Sequence, residues 1–278
     1  MKIKMYGCRG SASYTRLAES KYGGNTSCMT IESLGRQLVI DAGSGITMLE
    51  DELRADDPLR QLAKRDFTFL ISHLHLDHII GFGTFSAIWK NPSDIQIFTC
   101  SRDSRETLKQ QVFGVFKPPY WPDTLAETSG ASCIEIESRL PFRVNHFTVT
   151  PFLAKHPNQT LSFHVTDGKR TMVHLLDSEL AALNSARYGE LCEFCAGADL
   201  VVFDAAYSGA DYPRHRGWGH STVEQGVSLA RECRPKRMMF AHYSQHYSDD
   251  ELDSWTEHFE NESGTEYIMA RDGIELEL

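Results

Sequence analysis

The 278-residue chain contains no uncharged apolar run approaching the ~20 residues that span a bilayer, so no transmembrane helix and no membrane partner are expected. Its opening, Met1-Lys2-Ile3-Lys4-Met5-Tyr6, reaches a Gly/Arg/Ser stretch within a few positions. That leaves no room for the apolar region and cleavage site of a signal peptide, and the chain reads as cytoplasmic. Positive charge is in deficit: 28 Lys and Arg face 38 Asp and Glu, a formal net charge of −10. A broad basic face gripping a polyanion is disfavoured, and a long nucleic acid is an unexpected partner. An even, regularly spaced cysteine set is also missing. The seven cysteines (Cys8, Cys28, Cys100, Cys133, Cys192, Cys195 and Cys233) are odd in number and scattered, which favours reduced thiols over a disulfide framework. Cys192 and Cys195 form a C-x-x-C with no second pair at zinc-site spacing, and a structural role on a helix is the expectation. Low-complexity linkers and fixed-period repeats are absent too. With 41% hydrophobic residues, enough for a continuous core, residues 1–278 are expected to form a single domain.

What the chain does have is an alternation of short apolar runs and turn clusters. Strands are expected at Lys2 to Tyr6, Met29 to Glu32, Gln37 to Asp41, Phe67 to Ser72, Ile95 to Thr99 and His146 to Pro151. The second half repeats the habit at Leu161 to Thr166, Thr171 to Leu176, Leu200 to Asp204, Arg237 to Ala241, Tyr267 to Ala270 and Gly273 to Leu278. Helical spacing marks Ile46 to Arg54, Arg102 to Gln111, Ser178 to Ala186, Val223 to Glu232 and Asp249 to Glu262. The class is mixed α/β (α+β), and the grouping suits sheets packed face to face with helices outside. Gly114 to Gly130, with Pro118, Pro119, Pro122, Tyr120 and Trp121, lacks periodicity. It is either a lid or substrate loop, or a surface excursion packed by its own aromatics.

The chemistry concentrates in Ile71-Ser72-His73-Leu74-His75-Leu76-Asp77-His78, which closes the run Phe67 to Ile71. If the strand continues through it, His73 and His75 project from one face, and Asp77 and His78 fall in the turn beyond. Four metal-capable side chains then converge at a strand's C-terminal edge, where open sheets place ligands. Imidazole and carboxylate without a nearby thiolate favour Zn, Mn or Fe in an open, catalytic site.

The H-x-H-x-D-H run resembles the signature of the metallo-β-lactamase superfamily. The resemblance extends through Gly7-Cys8-Arg9-Gly10-Ser11, Tyr22-Gly23-Gly24-Asn25-Thr26-Ser27, Ile40-Asp41-Ala42-Gly43, His156-Pro157, Asp177-Ser178, Asp204, Gly217-Trp218-Gly219-His220-Ser221-Thr222 and Ala241-His242. This combination is similar to the phosphodiesterase branch, with its bacterial cyclic phosphodiesterases and ribonuclease Z. The resemblance implies a four-layer αβ/βα sandwich holding two divalent metals. One takes His73, His75 and His156, the other Asp77, His78 and His242, and Asp177 bridges them. It further implies that Asp41 orients ligands by hydrogen bonds without binding metal, and that Asp204 and His220 act together on the leaving oxygen. Without the resemblance, Asp41 reads as a turn residue, His220 as a helix-start residue and Asp204 as a strand-end cap. A homodimer is the family's habit.

The activity implied is hydrolysis of a small, anionic, cyclic phosphodiester, a cyclic nucleotide or cyclic sugar phosphate, by hydroxide generated between the two metals. Arg214 and Arg216 are candidates to neutralise phosphate, with solvated loop charge the other reading. Tyr120, Trp121 and Trp218 are candidates to face a base or sugar. Two alternatives stand beside this reading: a tRNA 3′-processing endonuclease of ribonuclease Z type, and a non-catalytic metal-binding or interaction module on the same fold. Against the endonuclease, the chain has no long Gly/Pro-rich basic arm. Two departures bear on substrate: Asp177-Ser178 replaces the frequent Asp-Thr, and Pro157-Asn158-Gln159 replaces the glycines found after this His in close cyclic-phosphodiesterase relatives. Of the remaining histidines, His146, His164, His174 and His258 read as packing or surface residues. His215 lies beside the two arginines, and His246 is a candidate neighbour of the ligands.

Overall fold

A computed structural model describes residues 1–14, 20–56, 66–90, 95–103, 105–256, 259 and 264–278. The first half of the chain carries strands β1 (Lys2–Gly7), β2 (Arg9–Gly10), β3 (Cys28–Ser33), β4 (Arg36–Ile40), β5 (Phe67–Leu70), β6 (Ile95–Thr99) and β7 (Ser132–Glu135). The second half carries β8 (Phe142–Val144), β9 (Phe147–Leu153), β10 (Leu161–Thr166), β11 (Thr171–Leu175), β12 (Leu200–Asp204), β13 (Arg237–Ala241), β14 (Tyr243–Ser244), β15 (Glu266–Met269) and β16 (Glu275–Glu277). Helices are α1 (Ile46–Asp56), α2 (Leu76–Ile79), α3 (Ser86–Lys90), α4 (Leu108–Phe113), α5 (Leu125–Thr128), α6 (Ser185–Cys195), α7 (Val223–Cys233) and α8 (Asp249–Thr256).

Period-two burial decides how these strands stack. Met29, Ile31, Leu38 and Ile40 point inward to share a core with Phe163, Val165, Met172 and Val173, while Cys28 and Val39 face the other way, toward Phe69, Leu49 and Phe85. Two sheets result, ordered β16-β1-β3-β4-β5-β6-β7 and β15-β13-β12-β11-β10-β9-β8, with a β14-β2 pair beside them. The outer face of the first sheet is covered by α1 and by the segments around Phe82, Phe85 and Phe113; that of the second by α6, α7 and α8 through Leu191, Leu229 and Leu252. This is the four-layer αβ/βα sandwich expected.

Strand direction then locates the site. Strands β4 to β7 are mutually parallel, as are β11, β12, β13 and β15. Strand β9 lies antiparallel to β10, itself antiparallel to β11, so β9 ends at the same edge as β11. Asp41, His73, His156, Asp177, Asp204 and His242 therefore all stand at or just past a strand's C-terminal end. The two sheets are tied at this edge by hydrogen bonds from Leu161 N–H to Ser72 O (2.9 Å) and from His242 N–H to Cys8 O (2.7 Å).

Several local expectations need correction. Ladder pairing in β5 stops at Leu70, so His73 and His75 lie on an extended segment rather than in a strand, and Asp77 and His78 occupy the single turn of α2. No helix covers Ser178 to Ala186; a 3-10 turn spans Leu180–Ala182, and α6 begins after Asn184, whose side chain caps Arg187 N–H. The N–H groups of Ser178, Glu179 and Leu180 are instead given to Asp204, Lys155 O and Ser221 Oγ. Helix α4 starts at Leu108, not Arg102, because Thr107 and Gln110 form a capping box. The short strands β2, β7, β8 and β14 carry too few residues to show a period. The expected helix Asp249 to Glu262 is described as far as Thr256, and His258 lies outside the described residues.

Gly114 to Gly130 is anchored at a few points and otherwise mostly exposed: Phe116, Leu125 and Ser129 are buried, Trp121 meets Phe116 edge-on at 5.6 Å, and Tyr120 is exposed. All seven cysteines are free thiols, Cys192 and Cys195 on α6. No described helix is long and apolar enough to cross a membrane.

Phe69, fully buried, contacts Phe67, Phe82 and Phe85 beneath the segment that carries the histidines. Phe69→Ala is expected to lower unfolding stability by about 3–5 kcal/mol, read from denaturant melts.

Candidate metal centre

Six of the expected ligands approach one another around Asp177. On one side, His78 Nε2 lies 3.2 Å from His242 Nε2, 3.2 Å from Asp177 Oδ2 and 3.3 Å from Asp77 Oδ2. His242 Nε2 stands 3.4 Å from both Asp77 Oδ2 and Asp177 Oδ2. On the other side, His156 Nε2 is 3.3 Å from His75 Nδ1, and Asp177 Oδ1 is 3.7 Å from His73 Nε2 and 3.9 Å from His156 Nε2. Among the described residues, ligand atoms within 4.8 Å of one another form three overlapping groups: His73, His75, His156 and Asp177; Asp77, His78 and His242; and Asp177, His220 and His242.

The donor set fits divalent cations. A tetrahedral cation with bonds of about 2.0–2.1 Å needs ligand atoms about 3.3–3.4 Å apart, matching the spacing around His78 and His242. His78 Nδ1 is committed to Asp41 at 2.7 Å, and His73 Nδ1 to Ser72 Oγ at 3.1 Å, so the opposite nitrogen of each ring faces the cluster. His73 Nε2 and Asp177 Oδ2 are buried without a hydrogen-bond partner. Lone pairs facing lone pairs at this range repel unless a positive charge lies between them.

The electrostatics divide the histidines. For His73, burial and the neighbouring His78 push the pKa down; for His75, burial and His156 take it to about 4; His156 is likewise lowered by burial. These three are neutral at pH 7, the form that ligates metal. For His78 and His242, burial is outweighed by Asp177 and Asp77, and both are raised. The same two histidines hold Asp77 and Asp177 well below the usual carboxylate range despite burial. The carboxylates therefore create a negative potential where one group of ligand atoms converges.

Local backbone geometry makes this possible. Asp41, Asp177 and His242 have φ of 60°, 53° and 67°, left-handed values that non-glycine residues adopt at a cost of about 1–3 kcal/mol each. Asp41, fully buried, accepts from Ser72 N–H (2.8 Å), Ser72 Oγ (3.0 Å) and Ser27 Oγ (3.1 Å) as well as from His78. Gly219, at φ 91°, offers its carbonyl to His156 Nδ1 at 3.1 Å; a Cβ there would sit 2.1 Å from that nitrogen. Gly10 is equally constrained, since a Cβ would lie 2.5 Å from His242 Nδ1.

His220 stands apart from the ligands in its protonation. Its Nδ1 meets Asp204 Oδ2 at 2.9 Å and lies 3.8 Å from Asp177 Oδ1. Burial lowers its pKa, but the Asp204 charge and hydrogen bond, with Asp177 and Asp77 behind, raise it to about 9. Asp204 is fixed in turn by Ala206 N–H (3.0 Å) and Ser178 N–H (3.4 Å). The ring lies 5.2 Å from that of His242 at 25°, so this imidazolium borders the cluster.

Other expected residues sit outside this cluster. Arg214 and Arg216 are exposed, without ion pairs among the described residues, and Arg216 lies over the Tyr212 ring at 5.9 Å. Trp218, 58% exposed, meets His215 edge-on at 5.0 Å, and His215 stacks on Tyr207 at 4.0 Å. Among the described residues no ring contact or hydrogen bond links Tyr120 or Trp121 to the histidines, and Trp121 packs against Gly83. His246 is exposed and approaches Gln245 rather than a ligand. His174 is buried 3.9 Å from Asp41 with its pKa pushed by burial to about 4.

Sequence reasoning missed the residues that hold the ligands: Ser27 and Ser72 on Asp41, Asn158 on His75 Nε2, and Glu179 on the 217–219 loop. Ser72, Asn158 and Glu179 lie within two positions of an expected ligand, which is the signal that was available.

Set against known proteins, residues 36–243 match the family described as beta-lactamase superfamily domain. The chain is 24% identical over 272 residues to the ribonuclease Z of Azobacteroides pseudotrichonymphae genomovar. CFP2, covering 90% of each. Its fold is similar to that of the metallo-beta-lactamase fold protein YhfI from Bacillus subtilis, with a TM-score of 0.73, 20% identity and coverage of 99% of this chain and 98% of that one. It is also similar to Zn(2+)-bound PqqB from Methylobacterium extorquens, with a TM-score of 0.75, 15% identity and full coverage of both chains.

Zinc or manganese at 100 times its dissociation constant is expected to stabilise the fold by about 2.7 kcal/mol, read as a rise in Tm that EDTA reverses. Asp177→Ala, which removes the carboxylate common to two of the three groups, is expected to abolish most of that increment.

Proposed function

The chain belongs to the beta-lactamase superfamily and is a metal-dependent hydrolase, and from that premise we propose that it cleaves a small, cyclic phosphodiester. His73, His75, His156 and Asp177 would hold one divalent cation, and Asp77, His78, His242 and Asp177 a second. Their nitrogen and oxygen donors suit Zn, with Mn or Fe as alternatives. When bound, such a pair supplies Lewis acidity, lowering the pKa of water and offsetting charge on phosphoryl oxygens.

The observation that carries the reading is the His220–Asp204 pair at 2.9 Å, bordering the cluster. Hydrolysis of a diester must protonate a departing alkoxide, and a buried imidazolium is the group able to supply that proton. Nδ1 is committed to Asp204, so the proton delivered is the one on Nε2, which has no protein partner among the described residues. Asp204 keeps the ring charged at neutral pH and fixes its tautomer. The product is a phosphomonoester.

Substrate size is argued from charge. At −10 overall, with Lys155, Arg214 and Arg216 as exposed cations close to the site in sequence and without ion pairs among the described residues, the chain suits one phosphate group better than a long polyanion. Trp218 packs edge-on against His215 and offers a face for a base or sugar. A second reading, a tRNA 3′-processing endonuclease, is favoured by the 24% identity to a ribonuclease Z over 90% of both chains. Turnover of cyclic mono- and dinucleotides and cyclic sugar phosphates, measured beside cleavage of a precursor tRNA, separates the two; cleavage of precursor tRNA alone would overturn the first.

Asp77→Ala is expected to abolish hydrolysis of bis(p-nitrophenyl) phosphate. Asp204→Asn is expected to lower kcat by on the order of 10²–10⁴. Because His220 donates only while protonated, and Asp204 is what raises its pKa, the same variant is expected to move the alkaline limb of the kcat–pH profile to lower pH. An unmoved limb would remove His220 from the role of acid.

A further inference from the structure

We infer that Glu179 is a positioning residue that holds His156 and His220 in register with Asp177. Its side chain is buried, 4% exposed, yet no ion pair reaches it among the described residues. Three donors converge on its two oxygens instead. Oε1 accepts from Tyr212 Oη (2.8 Å) and Gly217 N–H (2.8 Å), and Oε2 from Gly217 N–H (3.1 Å) and Gly219 N–H (3.1 Å). Its own N–H donates to Lys155 O at 2.8 Å, next to His156.

These contacts form a closed frame. Gly219, whose N–H Glu179 holds, offers its carbonyl to His156 Nδ1 and is followed directly by His220. The frame is braced by Ser221 Oγ, which donates to Ser178 O at 2.6 Å and accepts from Leu180 N–H at 3.1 Å. Asp177 lies two residues before Glu179, so one short segment joins the shared carboxylate, one imidazole ligand and the imidazolium. Gly217 and Gly219, at φ 85° and 91°, gain no rigidity from side chains of their own. The buried carboxylate is what fixes the 217–219 turn, and through it the tautomer and direction of the His156 ring. Such supports typically set metal affinity by about 10–100-fold.

Two of the three groups facing Glu179, the Gly217 and Gly219 N–H, can only donate. Glutamine would keep one acceptor oxygen for them and turn its NH₂ to the Tyr212 hydroxyl, losing the Gly217 N–H to Oε1 bond and the negative charge on the remaining acceptor.

The inference rests on His156 as a metal ligand, and its test separates the two claims. Cobalt(II) and zinc are titrated into the full-length wild-type chain, Glu179→Gln, His156→Ala and the double variant, following cobalt d–d absorption and bound metal. Glu179→Gln is expected to weaken one binding step about 10–100-fold and to alter the cobalt spectrum. His156→Ala is expected to weaken the same step. The double variant is expected to fall within about threefold of His156→Ala alone, because residues acting through one contact are not additive. Wild-type affinities and spectrum in Glu179→Gln, or fully additive losses, would overturn the positioning role alone. Unchanged binding in His156→Ala would overturn the ligand assignment and with it this inference. If Glu179→Gln does not fold, Glu179→Asp carries the test: it keeps the charge, cannot reach all three donors, and is expected to weaken the same step; unchanged binding there overturns the inference equally.

Discussion

The constraint on which this structure turns is mutual repulsion. His78 Nε2, His242 Nε2, Asp77 Oδ2 and Asp177 Oδ2, all on buried residues, crowd to 3.2–3.4 Å. Acceptors at that range are stable only around a positive charge, whether protons on the imidazoles or a cation in their midst. The same carboxylates raise the proton affinity of both histidines. A divalent ion held there would displace protons from the imidazoles, so cation and proton would compete for one negative well.

Holding such a cluster together is the task of the surrounding fold. Parallel strands deliver ligands from both sheets to one edge, and the cross-sheet bonds at Ser72 and Cys8 stop that edge from opening. The tight turns at Asp41, Asp177 and His242 store strain that the buried cores on either side of the first sheet offset. Orientation comes from polar groups behind the histidines: Asp41, Gly219 O and Asp204 accept behind His78, His156 and His220, and Asn158 Nδ2 donates to His75 Nε2. Each fixes one nitrogen of an imidazole and so assigns the other its task.

Legibility in the sequence followed the range of the interaction. Short apolar or β-branched runs bounded by turn residues, such as Ile95 to Thr99, Leu161 to Thr166, Leu200 to Asp204 and Arg237 to Ala241, match the observed strands to the residue, because such a run is a local property. Four candidate ligands were grouped by the H-x-H-x-D-H run itself, while His156, Asp177 and His242 were reached through the resemblance; the fold brings all seven close together. What stayed hidden is tertiary. Ser178 to Leu180 has helical spacing but spends its amide groups on Asp204, Lys155 and Ser221, partners that no window of sequence contains. Asn158 stood out only as a departure after His156, and its contact with His75 links positions 83 apart.

Charge balance bears on the proposed reaction. Four buried carboxylates touch the histidine rings: Asp41, Asp77, Asp177 and Asp204, −4 in all. Two divalent cations would cancel this total, and the hydroxide proposed between them would balance the His220 imidazolium, so the loaded site would be near neutral before a substrate enters. Unbalanced charge in a buried site is costly, which disfavours occupants that carry many charges. On the proposed reaction Asp204 would have two tasks: it would keep His220 charged before proton donation and restore its affinity for a proton afterwards.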